Sequence, residues 1–170
     1  MGLLSIDFVA QDDAWPTEIT NIALASRIAR AIEERIEFDQ RSEAVVAFSR
    51  NHHVAELNAR YRGKTGATNV LSFPASDAHH PAVADNGHDA QATFLGDIIL
   101  ARETVANEAS GGHLSWQDHT THLIVHGVLH LIGYDHETAA DANEMESLEI
   151  EILQGLGIQN PYTEELVDTR

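Results

Sequence analysis

The sequence predicts an α/β protein in which a small mixed sheet is covered by helices. Three observations carry that expectation. Strand-like and helix-like segments alternate through the first half of the chain, and helical patterns dominate the second. The composition, 43% hydrophobic and 22% charged, is the ordinary globular mix and supplies the material for a packed core. A length of 170 residues suits one domain, residues 1–170, that buries roughly 70% of its unfolded surface.

The elements follow in order. Leu3 to Val9 reads as a first strand, because Ile6 and Phe8 alternate with Ser5 and Asp7. Pro16-Thr17 opens a helix that carries Ile19, Ile22, Ala23, Ala29 and Ile32 at helical spacing and runs to about Ile36. Glu43 to Phe48 is apolar and β-branched enough for a second strand. Asn51 then stands where it can cap a short helix through Val54, Leu57 and Tyr61, closing near Gly63. Thr68 to Phe73 is a third strand stopped by Pro74, and Phe94 to Leu100 a fourth. Residues 75–92, between them, are rich in Asp, His, Pro, Asn and Gly without sustained periodicity, the pattern of a mobile surface loop. His79, His80 and His88 within it read as solvated polar residues. Arg102 to Ala109 forms a short helix ended by Gly111-Gly112. Ser115 with Asp118 caps the next, from Trp116 to Leu131, about 24 Å long at 1.5 Å per residue. Gly133 stops it. A last helix starts near Thr138, carries Met145, Leu148 and Ile152 on one face, and closes at Gly155 or Gly157.

Charge and composition exclude several functions. The chain has 27 acidic and 10 basic residues, a net charge of -17, which opposes nonspecific DNA binding unless a local basic surface overrides it. It has no cysteine, so disulfides, thiolate nucleophiles and cysteine-based zinc fingers are excluded together. No apolar run approaches the roughly 20 residues of a membrane-spanning helix. Met1 to Asp13 lacks a basic leader and is broken by Asp7, so a cytoplasmic location is expected.

Of 11 histidines, five fall between His113 and His130, and His136 follows. His126 and His130, four residues apart, share one helix face and converge on one ion. Gly133 then lets the chain leave the helix and turn back, so that His136 closes the site. Three imidazoles with one open position form the ligand set of a catalytic zinc site, and one zinc ion is expected. His119 and His122 lie upstream and read as packed or hydrogen-bonding neighbours of the ligands. The spacing also matches that of metalloproteases, which place a glutamate base directly after the first histidine. Here that position is Gly127, which weakens a peptidase reading. Asp135, Glu137 and Glu144 are the nearby acids, better read as helix caps or solvated charges than as bases.

The segment His126-Gly127-Val128-Leu129-His130-Leu131-Ile132-Gly133-Tyr134-Asp135-His136 resembles the signature of the YbeY family, bacterial metal-dependent endoribonucleases of ribosomal RNA maturation. A second block agrees: Leu57-Asn58-Ala59-Arg60-Tyr61-Arg62-Gly63-Lys64 and Thr68-Asn69-Val70-Leu71-Ser72-Phe73-Pro74 are similar to the family's Leu-Asn-x-x-Tyr-Arg and Thr-Asp-Val-Leu-Ser-Phe-Pro. Leu95-Gly96-Asp97-Ile98 and Glu144-Met145-Glu146 add lesser matches, so that the resemblance spans about residues 43 to 153. It implies a mixed, mainly parallel four-stranded sheet, a zinc held by His126, His130 and His136, and a role on the small ribosomal subunit and its RNA. Arg62 matches the family arginine implicated in RNA processing. Asn69 stands where the family usually has Asp, and an amide supplies neither a base nor a counter-charge to Arg62.

Arg60, Arg62 and Lys64, the last being the only lysine, form the densest basic cluster and are the expected RNA-binding residues. The function expected is therefore a zinc-dependent, single-strand-specific endoribonuclease of 16S rRNA maturation and ribosome quality control, with Arg62 and His126 catalytic. A zinc peptidase and a non-enzymatic ribosome-assembly factor with a structural metal are the alternatives.

Overall fold

The apolar run expected to form the second strand is the centre of the molecule. It occupies Ser42–Ser49 (β2), and Ala44 through Phe48 are fully buried, as a strand covered on both faces requires. The computed structural model describes residues 2–76 and 91–162. Around β2, Leu4–Ala10 (β1) and Thr93–Ala101 (β4) pair in parallel, and Val70–Pro74 (β3) pairs antiparallel with β4, giving the order β1-β2-β4-β3. The sheet is thus mixed and mainly parallel. Pro74, the last residue of β3, opposes Gly96 on an edge strand, where a missing N–H is tolerated.

Six helices cover this sheet among the described residues: Thr17–Thr20 (α1), Ile22–Glu33 (α2), Asn51–Arg62 (α3), Arg102–Gly111 (α4), Trp116–Leu131 (α5) and Ala139–Gly155 (α6). None is long and apolar enough to cross a membrane. Alternation along β4 divides the core: Ile98 and Leu100 face the cluster built with α2, α5 and α6, whereas Ile99 and Ala101 face the smaller cluster of Val54, Leu71 and Phe73 under α3.

Two expectations are corrected. The helix expected from Pro16 to Ile36 is two helices, broken at Asn21, whose backbone is extended. Asn21 Oδ1 accepts the Leu24 N–H at 2.9 Å and its amide donates to the Glu18 carbonyl at 2.8 Å, so one side chain ends α1 and starts α2. Asn51 does not cap its own helix, for which Arg50 is the N-cap. Its Oδ1 instead accepts from the Thr104 N–H at 3.2 Å and the Thr104 hydroxyl at 2.8 Å, capping α4 from a distant part of the chain. Residues 77–90 of the expected loop, including His79, His80 and His88, lie outside the described residues.

Candidate metal centre

The histidines of α5 form a stripe, His119, His122, His126 and His130, opposite an apolar face that buries Ile124, Val128 and Leu129. The helix ends in a Schellman turn. The Gly133 N–H reaches the His130 carbonyl at 3.1 Å and the Tyr134 N–H reaches the Leu129 carbonyl at 3.0 Å. Gly133 sits at φ 106°, a conformation that favours glycine. The reversal returns His136 to the helix, its ring centroid 5.6 Å from that of His126 and 5.0 Å from that of His130. One ring nitrogen from each of the three lies within 4.8 Å of the others.

The second nitrogens decide how the rings face. The His130 Nδ1–H donates to the Tyr134 carbonyl at 3.1 Å, and the His126 Nδ1–H donates to Glu149 Oε1. A carbonyl and an ionised carboxylate can only accept, so both rings turn an Nε2 lone pair inward, and these two atoms are 3.0 Å apart. Facing lone pairs at that distance repel unless a proton or a cation lies between them. The donor set therefore fits a metal, with Zn–N bonds of about 2.0–2.1 Å for an imidazole ligand. Burial pushes the His130 imidazole below its ordinary pKa, and the charges of His126 and His136 push it the same way. The neutral ring is the form that ligates.

Glu149 is the residue that sequence reasoning missed. It is fully buried on α6, in the same stripe as Met145 and Ile152. Burial alone would raise its pKa, but hydrogen bonds from His122 and His126, the His126 charge and the Tyr162 hydroxyl outweigh it and hold the carboxyl at about 2. The signal was present: a glutamate inside an apolar helix stripe needs buried partners. His122 takes the neighbouring role expected of it, its Nε2 lying 3.2 Å from Glu149 Oε2. His119 bonds elsewhere, to Glu108 Oε1 at 2.9 Å.

Gly127 explains itself by packing. A Cβ there would lie 2.9, 3.0 and 3.1 Å from three side-chain carbons of Ile98, so the position faces the sheet at close approach. Any side chain at 127 would press on Ile98, and glycine there offers the site no carboxylate base.

The three histidines open into a cleft of about 820 Å³ that is also lined by Arg62, Lys64, Asn69 and Ser72. Arg62 is held there: its Nη2 donates to the Ser72 carbonyl at 2.6 Å and its guanidinium lies 4.7 Å from the Phe73 ring centroid. The turn bearing Lys64 is fixed by buried Asn58, whose carbonyl accepts the Lys64 N–H at 3.2 Å and whose amide donates to the Gly66 carbonyl at 2.8 Å. Arg60 does not line the cleft; its guanidinium lies 5.6 Å from the Tyr61 ring centroid. Asn69 does, with its amide 3.1 Å from Glu108 Oε1 and its own oxygen accepting the Val70 N–H at 2.7 Å. Asp135 and Glu137 line the cleft as well; Asp135 accepts the His136 N–H at 2.7 Å, whereas the cap of α6 is Thr138, so Asp135 is not the helix cap expected of it. Glu144 borders a separate hollow.

Residues 9–157 match the family model described as Endoribonuclease YbeY. The chain belongs to the YbeY family. The YbeY protein of Bartonella henselae is 42% identical over 163 residues, covering 95% of this chain and 99% of its own. That of Parvibaculum lavamentivorans is 47% identical over 124 residues, 73% of this chain and 67% of its own. Both are named Endoribonuclease YbeY. The solution structure of TM1509 from Thermotoga maritima shares the fold, with a TM-score of 0.53 at 18% identity over 88% of this chain and 89% of that one.

Proposed function

We propose that this YbeY protein is a zinc-dependent, single-strand-specific endoribonuclease acting in the cytoplasm on precursor 16S rRNA and small ribosomal subunits, in maturation and quality control. One observation carries the reading: three imidazole nitrogens within 4.8 Å of one another open into a cleft that Arg62 and Lys64 also line. The relatives named as endoribonucleases support it. His126, His130 and His136 would hold the ion, which when bound supplies Lewis-acid polarisation of a phosphate oxygen and of water.

The protein's own groups do the rest. In a chain of net charge -17, an RNA strand needs local cations to approach, and the cleft supplies two. Arg62, with one nitrogen tied to Ser72, presents its remaining donors to a phosphate oxygen in a fixed plane. Lys64 adds a point charge beside it. Glu149 and the Tyr134 carbonyl take the Nδ1–H of His126 and of His130, which turns the Nε2 of each ring toward the site. The test is cleavage of single-stranded RNA, duplex RNA and a peptide library by the same zinc-loaded protein. Cleavage confined to single-stranded RNA is expected, and the product ends, 2′,3′-cyclic phosphate or 5′-phosphate, report whether the RNA hydroxyl or water attacks. Peptide cleavage without RNA cleavage would overturn the proposal.

A further inference from the structure

The buried carboxylate beside the histidines is reached by a residue from outside the helical layer. α6 ends in the same kind of turn as α5, with the Gly157 N–H on the Gln154 carbonyl at 3.0 Å and the Ile158 N–H on the Leu153 carbonyl at 2.9 Å. The chain then runs back along the helices, and the Asn160 side chain accepts the Tyr162 N–H at 2.8 Å, setting a local turn. This course brings the Tyr162 hydroxyl onto Glu149 Oε2, the oxygen that also faces His122 Nε2. The Tyr162 ring meets the His122 ring edge-on, centroids 5.7 Å apart.

Three donors thus converge on one carboxylate with no solvent exposure: His126 Nδ1–H on Oε1, and His122 Nε2–H with the Tyr162 hydroxyl on Oε2. A carboxylate so held has one rotamer, and its Oε1 has one use. It fixes the ring plane of His126 and the tautomer in which the inward nitrogen is a lone pair.

We propose that Glu149 and Tyr162 form a positioning unit for the metal centre, in which the segment after α6 latches the carboxylate that orients His126, so that metal retention depends on a hydroxyl outside the ligand set. The proposal rests on the reading of His126, His130 and His136 as metal ligands. Tyr162 is a positioning residue: its hydroxyl acts on His126 through Glu149.

The experiment compares the full-length parent protein with Tyr162→Phe, Glu149→Gln and His126→Ala. Zinc affinity is measured by competition with a chromophoric chelator, the cobalt(II) visible spectrum reports ligand geometry, and nitrogen-15 shifts of the metal-free protein report the His126 tautomer. Phenylalanine keeps the ring against His122 and removes only the hydroxyl, so Tyr162→Phe carries the test even where Glu149→Gln unfolds. Expected for Tyr162→Phe is an unchanged stoichiometry at saturation with affinity lowered about 10- to 100-fold, an altered cobalt spectrum and a mixed His126 tautomer. Parental affinity and spectrum in Tyr162→Phe, with affinity lost in His126→Ala, overturn the proposal and leave the ligand reading standing. Parental affinity in His126→Ala as well overturns the ligand reading itself.

Discussion

Replacing Arg62 separates the tether seen in the structure from the phosphate contact proposed for it. Arg62→Ala removes a hydrogen bond to the Ser72 carbonyl and a guanidinium packed on Phe73. A net hydrogen bond contributes about 1 kcal/mol and an exposed cation–π contact about 0.5–1 kcal/mol, so the loss is roughly 1–2 kcal/mol. For a chain of this size that lowers Tm by roughly 2–8 °C. The proposed contact with phosphate is larger: a hydrogen bond to a charged group is worth about 1.5–3 kcal/mol, so kcat/KM for RNA should fall roughly 10- to 100-fold. Arg62→Lys keeps the charge without the planar fork and should lie between. Zinc content should stay stoichiometric in both, since Arg62 touches no histidine of the site. The assay is steady-state cleavage of a fluorogenic single-stranded RNA below KM, with bound zinc and melting measured on the same preparations. Parental kcat/KM in Arg62→Ala refutes the phosphate role; loss of zinc with the activity shows that the residue serves only the fold.

Other substitutions probe separate parts of the structure. His126→Ala, His130→Ala and His136→Ala should each lose stoichiometric zinc by elemental analysis, whereas His122→Ala should keep most of it, because Glu149 retains His126 and Tyr162 as partners. Gly127→Ala sets overpacking against Ile98, roughly 1–3 kcal/mol, against a helix-propensity gain of about 1 kcal/mol, so urea unfolding should show a loss of up to about 2 kcal/mol. A stability above that of the parent would show that α5 lies farther from β4 than described. The Arg102 guanidinium, 2.7 Å from Asp12 Oδ2, holds the Asp12 carboxyl below its ordinary value of 3.8. Its contribution is therefore complete above that value and is lost as pH falls through the depressed one. Urea midpoints of the parent should drop more steeply below pH 4 than those of Asp12→Asn; equal slopes would contradict the ion pair.

What was legible in the sequence was local or periodic. The run Ala44 to Phe48 announces a strand buried on both faces, and the His126, His130, Gly133 spacing announces a helix, a reversal and a third ring, because each depends on neighbours within a few residues. What was hidden acts across the chain. The break at Asn21 inside the helix expected from Pro16 to Ile36 is one such case, since the two hydrogen bonds of its side chain exist only once the break has formed. Local sequence makes Asn51 the cap of its own helix, because its actual partner, Thr104, is far away in the chain. The Met145, Glu149, Ile152 stripe signals a buried glutamate, but its partners, on another helix and beyond the end of its own, are not legible in the sequence. Arg62 was legible as a charge, but its tether to Ser72 and Phe73 was not, and so a small stability cost on its removal was not expected from sequence.

The central claim is that a metal held by His126, His130 and His136 is required for RNA cleavage. It is tested most directly by cleavage of precursor 16S rRNA by one preparation as purified, after removal of metal by a chelator, and after zinc is restored, with metal content measured at each stage. One zinc per chain is expected at the first and last stages, with cleavage at both and none in between. Undiminished cleavage by metal-free protein that keeps its native circular dichroism would contradict it.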